Sequence, residues 1–463
     1  MNTRMTSSKK GVSGILAILV LCLLWQGAVT ASAVAAESSV VIGDRALELA
    51  IKETLGKSEG DSLKITDMES LTELQLAGRH IKKLDGLESA KNITRLDLSG
   101  NELTELKPLS DLTQLRELDI TNNQIVSLES LSAMTELESF RFSHNRVTSL
   151  EALSGLSGLQ AITASNNALK SLEPLGKLTE LQKIDVSYNQ IHDLSPLKKL
   201  NRLDSLSISG NRVSDLSAIA GTASLNALWA SQNQIQNLKP LKNLKGLRYL
   251  ELSSNAVYDL EPLRQLTALE KLRLNDNRVW NLEPIQNHRF VIDYDTGRID
   301  YGLELNGNYL DLAAGTKTAD IFKKLQADGY GPSMGQTIRL AIGSKAASTG
   351  EGKSFQLGAA PFVRDGRTYV PVRFVSEKLG AKVNWNGAKK EVNIQKGTTT
   401  IRLNVDSGSA LVNGSVVKLD APMRQVGGST FVPVRFVSER LDSPVEYISQ
   451  GRKVIIFVEP EKK

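Results

Sequence analysis

The apolar residues of this chain recur on a 22-residue period. Between Leu96 and Glu117 they stand at Leu96, Leu98, Leu103, Leu106, Leu109, Leu112 and Leu115, and "LDLSGNELTELKPLSDLTQLRE" returns as "LDITNNQIVSLESLSAMTELES". The spacing of two across Leu96 and Leu98 predicts a short strand. The spacing of three from Leu103 onward fits neither a strand nor an α-helix. It predicts a chain that turns inward every third residue, in extended or 3₁₀ conformation. One such coil cannot bury its own leucines, but stacked coils can, so the unit predicts a solenoid.

A polar residue shares the period. Asn101, Asn123, Asn145, Asn167, Asn189, Asn211, Asn233, Asn255 and Asn277 each follow the last by 22 residues. They stand where the strand turns a corner and the backbone groups of the corner face inward. A buried polar group without a partner costs about 1–3 kcal/mol, and an amide side chain carries both donors and acceptors. Stacked asparagines are therefore expected to satisfy backbone groups in their own coil and the next. Seven residues past the Asn, proline is frequent (Pro108, Pro174, Pro196, Pro240, Pro262, Pro284), which suits an extended or 3₁₀ stretch that needs no N–H there. This form, with its "xPL" step, resembles the internalin-type leucine-rich repeat from residue 37 to about 330. The resemblance implies an α/β repeat solenoid, with a parallel sheet on the concave face and an extended or 3₁₀ convex side.

A solenoid needs caps. Asp44 before "RALELAIKETLG" predicts an N-capped amphipathic helix ended by Gly56, followed by a turn at "ITDMESL"; this matches the small helical cap of internalin-like proteins, here residues 37–72. Arg79 stands where the first repeat would place Asn, so the ladder is expected to begin at Asn101. Downstream, "NHRFVIDYDTGRIDYG" breaks the register after Asn277. The degenerate "LELNGNYLDL", with Asn306 and Asn308, and the helical "TADIFKKLQADG" then read as a C-terminal cap, so that repeats and cap together span residues 73–330.

After Gly331 leucine thins out and a looser duplication begins. "AAPFVRDGRTYVPVRFVSEKLGAKVNWNGAKKEVNI" is followed by "DAPMRQVGGSTFVPVRFVSERLDSPVEYISQGRKVII", with Tyr369 and Phe431 62 residues apart. Each copy predicts a hairpin, a strand, a helix and a closing hairpin; Asn413-Gly414 is a strong turn signal, and Pro371 and Pro433 suit helix starts. Residues 334–459 resemble two copies of the copper amine oxidase N-terminal-like, or stalk, domain of bacterial surface proteins, an α+β unit. Its name suggests copper, but the residues oppose it. All four histidines (His80, His144, His192, His288) precede this region, and residues 334–463 offer only Met334 and Met423 as soft donors. Arg373 and Arg435, with Glu377 and Glu439 at i+4, read as helical ion pairs.

Arg4, Lys9 and Lys10, the apolar run Ile15–Leu24 and the small residues of "ASAVAA" predict a secretory signal peptide, residues 1–36, cleaved near Ala36. The run is too short to span a membrane comfortably, and "LVLC" lacks a lipobox ahead of Cys22. No other segment is long enough to span, so the mature chain is expected to have no transmembrane segment. Without the three basic residues of 1–36, 53 basic and 51 acidic residues remain. No basic–aromatic interleaving argues for nucleic acid. The mature chain has no cysteine, hence no disulfide and no thiol nucleophile. The end "FVEPEKK" shows no sorting motif of the LPxTG kind.

The remaining chemistry lies on the strands. Four and two residues before each Asn, side chains are expected to face out on the concave side. The inner row is small (Ser99, Thr121, Ser143, Ser165, Ser187, Ser209, Ser231, Ser253). The outer row varies: Asp97, Asp119, Arg141, Thr163, Asp185, Ser207, Trp229, Glu251, Arg273. Asp97 and Asp119 are close enough for paired-carboxylate chemistry, but no pocket, His–Ser pair or metal-spaced cluster is expected beside them. The reading is an exported, non-enzymatic recognition protein without cofactor, at the surface of a Gram-positive-like bacterium or secreted from it. Its ligand, a protein or carbohydrate, is expected at Arg141, Asp185, Tyr188, Trp229, Tyr249, Glu251 and Arg273, with Trp229 the aromatic anchor unless it only covers Ala227 and Ala230. The C-terminal region then serves as spacer or envelope-docking module. The alternative is a structural envelope component that binds cell-wall polymer through that region.

Overall fold

The computed structural model describes residues 39–291, 302–312, 315–325, 336–349, 354–405, 407–448 and 452–458. The expected signal segment lies outside them. The chain divides into two compact units, Met1–Val213 and Ser214–Lys463.

The first unit opens on the expected cap. Helix Arg45–Thr54 buries Leu47, Ala50 and Ile51, and Asp44 caps it, accepting from the Ala46 and Leu47 amides. The other Asp44 oxygen accepts from Lys82 and Lys83, so one carboxylate ties the helix to the first coil. "ITDMESL" is not a bare turn. It forms the short helix Ile65–Glu69, which turns Met68 fully inward. Three-residue strands then stack in parallel with a register of one repeat, Leu96 facing Leu118 and Asp97 facing Asp119. The first strand, Glu73–Gln75, precedes the first ladder Asn. The convex segments are 3₁₀ turns such as Lys107–Leu109 and Glu173–Lys177, with proline in their first turn. The leucines between are buried; Leu103, Leu109, Leu112 and Leu115 are 0% exposed.

Within each unit the asparagines form a ladder, directed backward along the array. Asn123 Nδ2 donates to the Ile120 carbonyl of its own coil (3.1 Å) and to the Leu98 carbonyl of the preceding one (2.9 Å). Its Oδ1 accepts the preceding coil's Leu103 N–H (3.0 Å). The Leu98 carbonyl also accepts from Asn101, so each corner carbonyl joins two asparagines. The expectation of bonds to the following coil is corrected: Nδ2 and Oδ1 both point to the coil before. The residue ahead of each ladder Asn, from Gly100, Asn122 and His144 to Asp276 and Gly307, has φ between +53° and +68°. This left-handed step swings the amide inward; it costs a non-glycine residue about 1 kcal/mol.

In the second unit, strands Ala227–Trp229, Tyr249–Glu251 and Lys271–Arg273 continue the pattern. The array does not stop at Asn277. Strand Leu303–Glu304 pairs with Lys271–Arg273, completing a sheet of eleven parallel strands. Asn308, fully buried, takes the ladder position 31 residues on, donating to Leu274 and Leu305 and accepting from Val279. Helix Lys317–Leu325 follows, burying Ala319 and Ile321.

The duplicated region forms three antiparallel sheets whose strands are exchanged between copies. Strands Arg367–Pro371 and Ser429–Pro433 pair at the centre, Val370 opposite Val432. Helices Val372–Lys378 and Val434–Arg440 follow them, each entered through a proline in the position ahead of its first residue. The opening strand of the first copy, Gln336–Ala341, pairs with the closing strand of the second, Lys453–Val458. The closing strand of the first, Glu391–Lys396, pairs with the opening strand of the second, Thr399–Asn404. Each outer sheet therefore contains both copies, and one core runs through them, from Val375 and Ile394 to Val437 and Ile456. Phe457 and Ile455 also form a small cluster with Tyr309 of the last coil, flanked by Tyr258 and Trp280. An Arg339–Asp311 ion pair lies beside this region of the chain.

Candidate functional site

Alternation along a strand decides what the concave face displays. In the strand Arg95–Asp97, Leu96 is buried and Arg95 and Asp97 point out. With Ser99 this makes three outward positions per coil, not two. The one missed lies six residues before the Asn and holds Arg95, Glu117, Lys183, Tyr249 and Lys271, among others. The period-two alternation of "RLDLS" extends one step further back than Asp97, to Arg95. These residues pair across coils: Arg95 lies 2.7 Å from Glu117 and 3.6 Å from Glu73.

The inner row is less available than its size suggests. Ser143, Ser187 and Ser209 are buried, and Ser143 and Ser165, like Ser187 and Ser207, bond to each other through their hydroxyls. It forms the floor, and the two outer rows supply the exposed chemistry. The acids of the middle row have a structural duty too. Asp97, Asp119, Asp185 and Glu251 each accept the backbone N–H two residues on, at 2.8–3.0 Å. One oxygen ties down the strand end.

The expected site residues fall into two groups. In the first unit, Arg141 is exposed, 3.9 Å from Asp119. Together with Arg95 and Asp97 they line a shallow depression of about 180 Å³. Asp185 lies two strands from Arg141, past Ala161–Thr163, so these two do not pair. Tyr188 sits on the left-handed step with φ +53° and is half exposed. Its ring lies over Gly210, where a Cβ would fall 2.5 Å from a ring carbon.

In the second unit the structure brings four residues together. Trp229, Glu251 and Arg273 are register neighbours on three adjacent strands, and Tyr249 stands opposite Ala227. Arg273 lies between Glu251 (3.7 Å) and Glu304 (3.3 Å), and the Arg248 guanidinium sits 5.8 Å from the Tyr249 ring centre. Trp229 is 38% exposed, while Ala227, on the same face, is 6% exposed. Part of the Trp229 side chain is thus open to solvent.

Among the described residues no three of His, Cys, Asp or Glu gather as metal ligands, and no helix is long and apolar enough to cross a membrane. Copper does not fit the C-terminal region. Residues 334–463 hold no His or Cys, and Met423 is fully buried.

Stacked three-residue strands, 3₁₀ turns and an Asn ladder define a leucine-rich-repeat solenoid, and comparison with known proteins agrees. The family model described as Leucine Rich repeats (2 copies) matches residues 91–133, 159–199, 179–221 and 245–287, and that described as Leucine rich repeat matches 113–169. The chain is similar to the internalins. An internalin of Listeria monocytogenes (InlF) is 27% identical, with 62% of this chain and 87% of that chain covered and a TM-score of 0.53. Internalin C2 of the same organism is 26% identical over 51% of this chain and 95% of that one, with a TM-score of 0.42. Residues 333–380 and 349–456 match the Copper amine oxidase N-terminal domain, which is not the catalytic domain of those enzymes. A curated "Protease inhibitor" of Brevibacillus choshinensis is 33% identical over 86 residues, 19% of this chain. The chain spans about a quarter of that relative's length.

Proposed function

We propose that this is an exported surface or secreted protein that recognises a macromolecular partner, a protein or a glycan, through the concave face of its repeats. Export rests on the sequence of residues 1–36. In this reading, the C-terminal region docks the chain at the envelope or spaces it from there, and no reaction is catalysed. The observation that carries the reading is the second-unit patch: a half-exposed Trp229 beside Tyr249, Glu251 and Arg273 on adjacent strands. Exposed aromatics flanked by charges make binding hot spots, worth about 2 kcal/mol or more on truncation. The test uses residues 37–463 as bait against surface and wall extracts, with the captured component identified and its affinity measured. Trp229→Ala is expected to weaken capture by roughly thirtyfold, the equivalent of about 2 kcal/mol, with the thermal midpoint nearly unchanged. A lowered midpoint with unchanged affinity would assign Trp229 to covering the core and move the site elsewhere.

A further inference from the structure

The C-terminal region contains two grooves that are copies of one another. One, of about 440 Å³, lies between the start of helix Val372–Lys378, the strand Lys382–Asn386 and the hairpin tip at Gly428. The other, of about 470 Å³, lies between the start of helix Val434–Arg440, the strand Val445–Ile448 and the hairpin tip at Gly366. Adding 62 turns Arg373 into Arg435 and Trp385 into Tyr447. Because the strands are exchanged, the hairpin wall of each groove comes from the other copy.

Each groove presents the same chemistry. Trp385 is 38% and Tyr447 47% exposed, although both are large aromatics on well-formed strands. Arg373 and Arg435 are 64% and 67% exposed, with Glu377 and Glu439 only loosely paired at 4.0 and 3.6 Å. Exposed pairs at such distances hold little energy, so a stronger anion can take the guanidinium in bidentate fashion. The surrounding charge favours an anion. Residues 334–463 carry 20 basic and 11 acidic residues, although the mature chain is nearly balanced. Volumes of this size suit one or two small rings.

We infer that these are two equivalent binding grooves for an anionic glycan chain, with a sugar ring stacked on Trp385 or Tyr447 and its carboxylate or phosphate held by Arg373 or Arg435. The second groove has Tyr447 as its one lining aromatic and the first has Trp385 with Phe374 at the helix start; neither carries the run of stacking residues of the platforms that track single-stranded nucleic acid. Two grooves on one region also suit a polymer with a repeating unit, since binding at one raises the effective concentration at the other. The grooves are not identical. Arg367 and Asp420 form a 2.9 Å ion pair along the edge of the second; the first has Ser429 and Gly358 there. The first is the less obstructed and is assigned the tighter binding.

This deepens the docking role proposed above for the C-terminal region and is independent of recognition by the repeats. Residues 37–463 are passed through affinity gels containing polygalacturonate, neutral dextran, oligothymidylate or polyglutamate. Retardation by polygalacturonate and not by dextran is expected. Arg373→Ala should weaken it at least tenfold, Arg435→Ala less, and Trp385→Ala with Tyr447→Ala about a hundredfold; Arg373→Lys should recover only part. Trp229→Ala should leave it unchanged. No retardation by polygalacturonate overturns the inference, as does equal retardation of wild type and the doubly substituted chain. Tighter binding to oligothymidylate overturns it in favour of nucleic acid, and equal, aromatic-independent binding to polyglutamate reduces it to bulk charge. Wall preparations that retain the doubly substituted chain as well as wild type would leave the docking role standing and remove only the grooves.

Discussion

Asn189 tests what holds the array together. It is 9% exposed and its amide spans two coils. Nδ2 donates to the carbonyls of Ala164 (3.0 Å), Val186 (3.0 Å) and Ser187 (3.1 Å), and Oδ1 accepts from Leu169 N (2.9 Å). Replacement by alanine does not affect these groups equally. The Ala164 carbonyl keeps Asn167, the Val186 carbonyl keeps Asn211, and Ser187 keeps the Asn166 amide. The Leu169 N–H loses its bond to Asn189 inside the core. An orphaned buried donor costs about 1–3 kcal/mol, and each shared carbonyl that loses a donor adds up to about 0.5–1 kcal/mol. Asn189→Ala is therefore expected to destabilise the chain by about 2–4 kcal/mol.

Urea unfolding of residues 37–463, followed by circular dichroism, measures this as a shift in midpoint at unchanged slope. Asn226→Ala is the control, because the Asn226 Oδ1 atom is buried without a hydrogen-bond partner among the described residues. Its loss should cost under about 0.5 kcal/mol, as for sites away from such networks. Asn189→Asp sharpens the comparison, since a carboxylate still accepts from Leu169 but repels the three carbonyls. It should match or exceed the alanine variant at neutral pH and recover in acid, where the protonated group donates again. Equal midpoints for Asn189→Ala and Asn226→Ala would refute the ladder as the source of stability.

Three further outcomes are expected. Burial pushes the Asp44 pKa up, but the amides of Lys82, Leu47, Lys83 and Ala46 outweigh it and hold the group below the ordinary carboxylate range. Its contribution is thus present above about pH 4 and lost as pH falls through the lower folded-state value; Asp44→Ala should cost about 1–2 kcal/mol at pH 6, a gap that closes in acid unfolding curves. Gly210→Ala should destabilise the chain by more than about 1 kcal/mol, because φ is +66° and the Tyr188 ring occupies the Cβ position, whereas Gly60→Ala, in open space, should be neutral. N-terminal sequencing of secreted protein should begin between Ser32 and Ser38, with Glu37 the expected first residue; an intact Met1 would refute export through this signal.

The features legible in the sequence were those that repeat in an identical environment. Every coil meets the same two neighbours, so its leucines and asparagine recur at one spacing. What escaped were features carried by backbone shape or by a choice of partner. The left-handed step ahead of the ladder holds Gly100, Asn122, His144, Tyr188 and Asp276; its common property is φ, and no single side chain marks it. The tenth ladder residue, Asn308, was hidden by a spacing of 31 in place of 22. The exchange of strands between the duplicated copies was hidden differently. Gln336–Ala341 has the same alternation whether it pairs within its own copy or with Lys453–Val458, and pattern cannot choose between the two. The site was legible as a set of rows, but Asp185 and Glu251 also fasten backbone, which their sequence position does not announce.

The two kinds of repetition have different consequences for binding. In the solenoid, the ladder bonds run from Asn side chains to backbone, and the leucines fill the inside, so neither depends on what the outer rows hold. Trp229, Thr163 and Asp97 occupy the same position in different coils with the same fold beneath them. Selectivity can therefore be written coil by coil without touching the ladder or the core, at the cost only of the strand-end bond where an acid such as Asp97 or Asp185 is replaced. In the C-terminal region the opposite holds. Each groove takes its aromatic and arginine from one copy and its hairpin wall from the other, and all of them stand on one shared core. A change that disturbs the central pairing of Val370 with Val432 reaches both grooves together. The repeats are suited to recognising an irregular surface, and the duplicated region to gripping a regular one.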